Sequence, residues 1–210
     1  ELKVFYTIYH ITMNELFPLV TVSLLAAMLL ISYSGFTNYS VIEACRHYPY
    51  LEHRDKSYYR WITCGFVHGS WMHLLLNAFV LYQFGFVVEK MMIMQFGQIP
   101  GMMIYLTLYL IILILSCLPT YIKQQNNASY ASIGASGAIS GILFVYIYHF
   151  PFSTLSLYGI LPLPALLMGV LYLIYSWWAA KNSNDGIDHD AHYYGAVIGL
   201  VCAFIIDKLG

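Results

Sequence analysis

Five stretches of this chain carry no Asp, Glu, Lys or Arg: Leu16–Ile42, Trp61–Val88, Met91–Ile122, Gln124–Ala180 and Ala191–Ile206. Uncharged runs on this scale cannot be hidden inside a soluble globule of 210 residues. Across the chain 60% of residues are hydrophobic and 9% charged, against roughly 25% charged in an ordinary soluble domain. Intrinsic disorder needs the opposite composition. A nucleic-acid module is excluded as well, since 9 Lys and Arg face 10 Asp and Glu. What remains is an integral membrane protein, with the lipid bilayer as its solvent.

A helical span needs about 20 mainly apolar residues, because its backbone polar groups must be satisfied within the segment. Period-2 alternation, the mark of a barrel, is absent. The expected fold is therefore all-α: a polytopic bundle of six transmembrane helices at about 16–36, 73–90, 99–119, 135–150, 161–180 and 190–208, forming one domain over 1–210. No positive stretch precedes Leu16 and no small-residue cleavage site follows the first span, so a cleaved signal peptide is not expected. Glu1 stands where Met would begin a full chain, so further sequence is expected at either end.

The loop from Thr37 to Trp71 differs in kind. It holds Arg46, Arg54, Lys56 and Arg60 among the aromatics Tyr48, Tyr50, Tyr58, Tyr59 and Trp61. Amphipathic rings suit the headgroup layer, so this loop is expected to be folded and half-embedded. Orientation is ambiguous from charge alone. Lys3, Lys90 and Lys208 lie on the side of the termini, and Arg46, Arg54, Lys56, Arg60, Lys123 and Lys181 on the other. The positive-inside rule would put the termini outside, yet four of those six charges sit in one structured loop.

Polar groups inside the spans are costly and usually functional. In Trp71-Met72-His73-Leu74-Leu75-Leu76-Asn77, His73 and Asn77 are four apart and share a helix face. The run Gly134-Ala135-Ser136-Gly137-Ala138-Ile139-Ser140-Gly141 opens a helix that ends by Pro151. Its 15 or so residues reach roughly 22 Å, short of a hydrocarbon core of roughly 30 Å. Ser136 is thus expected at a helix N-terminus below the membrane surface, where free N–H groups favour a developing anion. In Ala191-His192-Tyr193-Tyr194-Gly195-Ala196-Val197-Ile198-Gly199, the glycines Gly195 and Gly199 share a face with His192. Gly137 and Gly141 make a matching close-packing strip, and apposition of the two strips would bring His192 to Ser136. Taken alone, the first two clusters read better as packing and the third equally as packing or function. Together they supply a nucleophile, a base and side-chain donors for an oxyanion, the parts of an acyl transfer.

These motifs, in this order, resemble the rhomboid family of intramembrane serine proteases: H-x-x-x-N on the second span, G-x-S-G opening the fourth, A-H-x-x-G-x-x-x-G on the sixth. The resemblance runs from about Leu16 to Lys208. It implies Ser136 as nucleophile, His192 as general base, and His73, Asn77 and the Ser136 N–H around the oxyanion, with no third acid, metal or cofactor. It implies structural roles near the site for Gly134, Gly137, Gly195 and Gly199, for His68 and Arg60 (beside Trp61) in the first loop, and for Glu89 at the inner end of span two. Family members often carry Tyr four residues after the nucleophile, packed on the catalytic histidine. Here Ser140 stands there, leaving another aromatic to support His192 or an imidazole held less firmly. The resemblance places the termini in the cytoplasm of a multi-pass protein of the bacterial inner membrane. It implies transmembrane helices of other proteins as substrates, with Phe150–Pro164 and the upper part of span five as cap and gate.

Two other functions fit parts of the pattern. A catalytically silent relative would bind client membrane helices, but such relatives usually lack the Ser or the His. A small transporter would need charged midplane residues and an inverted repeat, which are missing. His189 and His192 beside Asp188 and Asp190 have metal-ligand spacing, yet they read better as a solvated acidic loop. Asp188 is a weaker candidate for a third triad member. Cys117 and Cys202 read as inert core residues, while Cys45 and Cys64 share the first loop and would be able to pair in an oxidising compartment. Physiological substrate and oligomeric state are not legible in the sequence.

Overall fold

The computed structural model describes residues 16–157 and 161–209. Helix α1 (Leu19–Thr37) leads into the first loop, which folds as α2 (Tyr39–Cys45), α3 (Pro49–Asp55), α4 (Arg60–Thr63) and a 3-10 turn at Cys64–Phe66. One continuous helix then runs from Trp71 to Phe96: α5 (Trp71–Val80), a π turn (Leu81–Gly85) and α6 (Phe86–Phe96). Next come α7 (Gln98–Gln124), α8 (Ser136–His149), a hairpin of β1 (Thr154–Leu157) and β2 (Leu161–Pro164), α9 (Ala165–Asn182) and α10 (His189–Leu209).

Four of these helical stretches are long and apolar enough to cross a membrane: Leu19–Thr37, Trp71–Phe96, Gln98–Gln124 and His189–Asp207. The protein is thus an all-α membrane bundle. Helices α8 and α9 coincide with the fourth and fifth expected spans but do not reach that measure by themselves. The expected fifth span begins four residues late, because Leu161–Pro164 pairs antiparallel with Thr154–Leu157. Pro162 and Pro164 hold the residues before them in extended backbone, which a helix cannot use. The third helix runs through Pro119 to Gln124, since membrane helices tolerate an internal proline when neighbours satisfy the freed carbonyl.

The short helix α8 lies at the centre. Nine of its fourteen residues are buried, so it is walled by protein on nearly all sides, as a helix apolar all round must be. The outer face of α9 is the opposite case, with Leu166, Leu167, Val170, Leu171 and Ile174 exposed. Such a patch on a soluble monomer would drive association; here lipid covers it.

Buried polar groups pin the bundle together. Glu89 on α6 is fully buried and accepts hydrogen bonds from Val20 N (2.8 Å), Thr21 N (2.7 Å) and Thr21 Oγ1 (2.7 Å). It satisfies the orphan N–H groups at the start of α1. In the first loop the buried Glu52 carboxylate meets His47 Nδ1 (2.9 Å), Tyr48 N (2.6 Å) and Trp61 Nε1 (2.8 Å). Arg60 Nη1 donates to the carbonyls of Glu43 (2.8 Å) and Arg46 (3.1 Å), closing the end of α2. The four cysteines are free. Cys64 Sγ lies 3.9 Å from Cys117 Sγ on α7.

Candidate active site

The chain enters α8 through a turn that only glycine fits easily. Gly134 has φ +114°, and a Cβ there would stand 2.6 Å from His73 Cε1. Its N–H donates to Cys64 O at 2.9 Å, while Ser132 pairs with His47 in both directions (2.9 and 3.0 Å). The loop before α8 is thereby tied to the first loop. Ser136 opens the helix, half-buried, and the first intrahelical bond runs from Ile139 N to Ala135 O at 3.0 Å. The N–H groups of Ser136, Gly137 and Ala138 have no acceptor within the helix, so the dipole and free donors both face the serine.

Helix α10 is set against α8 by glycine. A Cβ on Gly195 would lie 2.9 Å from Gly137 C, and one on Gly199 would lie 2.6 Å from Gly141 Cα. Backbone meets backbone along both strips, which only the smallest residue permits. Asp188 fixes the start of α10. Its carboxylate accepts from Ala191 N (3.0 Å), Thr120 Oγ1 (2.7 Å) and Ser132 Oγ (3.0 Å). It serves as the helix cap and ties α10 to α7 and to the loop before Ser136.

One cavity of about 730 Å³ brings the candidate residues together: Ser136, His192, His73 and Asn77 all line it. Its apolar wall includes Met72, Leu76, Val80, Ile139 and Leu143. Among the described residues no hydrogen bond joins Ser136 Oγ to His192. Asn77 is buried, and its Nδ2 donates to His73 O at 2.9 Å, leaving the second amide hydrogen free. His73 begins its helix under the Ser70 cap, whose Oγ accepts from His73 N at 3.2 Å.

His68 does not line the cavity but backs it. Its ring meets His73 edge-on at 4.9 Å, and Nδ1 lies 2.9 Å from Ser32 Oγ. The single Ser32 hydroxyl hydrogen goes to Phe66 O (3.0 Å), so His68 Nδ1 carries a proton and donates. Burial, with His73 alongside, pushes the His68 pKa down to about 3. Arg60 is also remote from the cavity and holds only the first loop.

One expectation changes. Among the described residues none of 150–157 or 161–164 lines this cavity: they follow the C-terminal end of α8, about 20 Å from Ser136 by helical rise. The lining comes instead from Gly186, Ile187 and Asp188, in the α9–α10 connection. That loop is anchored by Asp185, which accepts from Ile187 N (3.0 Å) and faces His189 Nε2 (3.1 Å). Those two bonds hold the Asp185 pKa down at about 2. Among the described residues no hydrogen bond joins the Asp188 carboxylate to the His192 imidazole; its oxygens hold Thr120, Ser132 and Ala191 instead. Asp190 pairs with Lys123 at 2.6 Å. Among the described residues no three metal-ligating side chains cluster.

The sequence reading missed Tyr172. It projects from α9 into the cavity lining, and its ring stacks on His192 at 21° with centroids 6.4 Å apart. Its hydroxyl hydrogen-bonds Ser140 Oγ. The signal was the absence of an aromatic at position 140; nothing in the sequence singles out Tyr172 from Tyr175, Trp177 or Trp178 as its replacement.

A Rhomboid domain signature matches residues 55–208. The chain is 28% identical over 171 residues to Rhomboid-like protein 11, chloroplastic, of Arabidopsis thaliana, covering 76% of this chain and 56% of that protein. It is 27% identical over 174 residues to Rhomboid protease GlpG of Haemophilus influenzae, covering 78% and 77%. It is 26% identical over 147 residues to RHOMBOID-like protein 12, mitochondrial, of Arabidopsis thaliana, covering 67% and 44%. The chain therefore spans about half the length of the two plant relatives. With the signature covering well over half of its residues, the chain belongs to the rhomboid family.

Proposed function

We propose that the protein is an intramembrane serine endopeptidase that cuts transmembrane helices of other membrane proteins. The observation that carries this reading is the convergence of Ser136, His192, His73 and Asn77 on one cavity at the N-terminus of a central, short helix. Ser136 Oγ attacks the scissile carbonyl and His192 takes its proton. The carbonyl oxygen becomes an anion, which the Ser136 N–H, Asn77 Nδ2 and His73 receive. His192 then protonates the leaving amine, and water admitted to the cavity hydrolyses the acyl-serine by the same steps. The two side chains must approach for the first proton transfer, and such hydrogen bonds commonly tighten only when substrate is bound. Every step uses side chains and backbone of this chain, with no cofactor.

The apolar wall of Met72, Leu76, Val80, Ile139 and Leu143 suits a segment drawn from lipid. The same reading takes α8 and α9 as the fourth and fifth of six spans, with both termini on the inner face. We take its home to be a bacterial inner membrane, the alternative being an organellar membrane, since two relatives are named for the chloroplast and the mitochondrion and one comes from a bacterium. The test is cleavage of a model transmembrane substrate in proteoliposomes, with fluorophosphonate labelling in parallel. Wild type should label and cleave and Ser136→Ala do neither. Binding of client helices without labelling would favour a silent relative, and cleavage by Ser136→Ala would overturn the assignment.

A further inference from the structure

Ser140 and Tyr172 form a link that no expectation from sequence contained. Ser140 Oγ lies 2.7 Å from Ser136 O and also contacts Tyr172 Oη. A serine hydroxyl has one hydrogen to give. With that hydrogen on Ser136 O, the Tyr172 hydroxyl donates to Ser140 Oγ, and the bonds run Tyr172 to Ser140 to the Ser136 carbonyl. The same Tyr172 ring stacks beside His192, with centroids 6.4 Å apart, and is tilted to Phe144, with centroids 5.6 Å apart. One side chain thus lies beside His192 and reaches Ser136 through the Ser140 hydroxyl, and it belongs to neither of their helices.

From this geometry we infer that Tyr172 is a positioning residue whose seat on α9 makes the dyad's alignment depend on how α9 docks. An aromatic ring on α8 would travel with Ser136. A ring on α9 travels with a helix whose other face is exposed and which rests on α8 partly through Gly169, 3.1 Å from Ile147 Cδ1 by its built Cβ. Displacement of α9 withdraws the ring from His192 and breaks the hydrogen-bond chain to Ser136 in one motion. Turnover should therefore need α9 docked. A mere space-filler at the same place would affect folding and leave the chemical step alone.

This inference rests on the reading of Ser136 and His192 as the dyad, and the test separates the two. Failure of the wild-type chain to react with a fluorophosphonate at Ser136 would refute the dyad itself. With wild type reactive, kcat and KM for a model transmembrane substrate are measured in proteoliposomes for Tyr172→Leu, Tyr172→Phe, Ser140→Ala and the double variant Tyr172→Leu/Ser140→Tyr. Tyr172→Leu should lower kcat by about 10- to 100-fold, the scale of a misplacement near 1 Å, with KM within about twofold. Tyr172→Phe keeps the ring and Ser140→Ala removes the acceptor, so each should lose roughly 3- to 10-fold. The double variant returns a ring from α8 itself and should recover most of kcat. Wild-type kcat in Tyr172→Leu overturns the inference, as does a loss confined to KM. Should Tyr172→Leu not fold, the two milder variants decide: wild-type kcat in both overturns it equally.

Discussion

Gly195→Ala places one methyl group where two helices have left no room. Its Cβ would meet Gly137 C at 2.9 Å and Gly137 Cα at 3.2 Å, besides the Gly137 carbonyl oxygen. Carbon contacts settle near 3.5–4.0 Å, so α8 and α10 must part by about 0.5–1 Å. The obstructing atoms are backbone, which cannot swing aside as a side-chain tip would. His192 is three residues from Gly195 and Ser136 is next to Gly137, so the separation opens at the dyad. A misplacement of about 1 Å costs roughly 10²-fold in rate, about 2.7 kcal/mol of transition-state stabilisation. Overpacking adds about 1–3 kcal/mol of lost stability. Gly199→Ala supplies the control. Its Cβ would stand 2.6 Å from Gly141 Cα, a comparable clash, but about 6 Å further along the helix from His192 than Gly195. Both variants should melt several degrees early, while Gly195→Ala should lose distinctly more of the labelling and cleavage rate. Melting and fluorophosphonate labelling in one detergent, followed by cleavage in proteoliposomes, give all the numbers. A Gly195→Ala protein with wild-type melting and wild-type rate would falsify the reasoning that close glycine packing sets the dyad.

Ser136→Ala and His192→Ala should each abolish cleavage at unchanged melting temperature, and the double variant should be hardly worse than either, as groups acting as a unit behave. Asn77→Ala should lower kcat by up to about 10²–10³-fold with little change in KM, measured on the same substrate; a change in KM alone would make Asn77 a substrate-binding group. His68 gives a pH dependence whose sign follows from its pKa, depressed in the folded protein to about 3 from an ordinary value near 6.5. Between those values the unfolded chain binds the extra proton, so stability should fall as pH drops from about 6.5 toward 3, by up to ~1.4 kcal/mol per unit. No His68 contribution changes above that window. Melting temperature against pH should flatten in His68→Asn, and an unchanged slope would assign the acid sensitivity elsewhere.

Much of this architecture was legible because a membrane leaves the backbone few choices. Uncharged runs must become helices, and the run opened by Ser136 was too short to cross, which by itself put a serine below the surface. Periodicity then identified the faces: His73 with Asn77 on α5, and His192 with Gly195 and Gly199 on α10. Helix ends were less legible. The third expected span ended at 119, yet its helix runs through Pro119 to Gln124, whereas Pro162 and Pro164 turned the first four residues of the fifth expected span into a strand. The described part of the expected cap does not line the cavity, for a reason of polarity. Ser136 opens its helix, so the segment after that helix must emerge at the far end, and the connection that returns to the serine lies between α9 and α10. Asp188 read as an acid near a histidine. Its partners Thr120 and Ser132 lie 68 and 56 residues away, and no local pattern reveals such a cap.

The substitution at position 140 shows how one small residue redistributes a site between helices. Gly137 and Gly141 turn toward α10, and one residue before Gly141 the helix presents Ser140 to α9. A tyrosine at 140 would hold its own ring over His192 and keep α9 at arm's length. Serine instead leaves room for α9 to approach until Tyr172 reaches both the serine hydroxyl and the imidazole. The consequence falls on substrate entry. The cavity is bounded on one side by Met72, Leu76 and Val80 of α5 and on another by Tyr172 of α9. A helical segment that entered by prising α9 away would remove the support of the very imidazole it needs. On the proposed function, entry and chemistry would make opposite demands on α9, and a substrate would unwind locally and thread a strand-like segment past the α5 side while α9 stays seated. An extended segment also exposes the carbonyl that Ser136 must attack, which an intact helix keeps hydrogen-bonded to its own N–H groups.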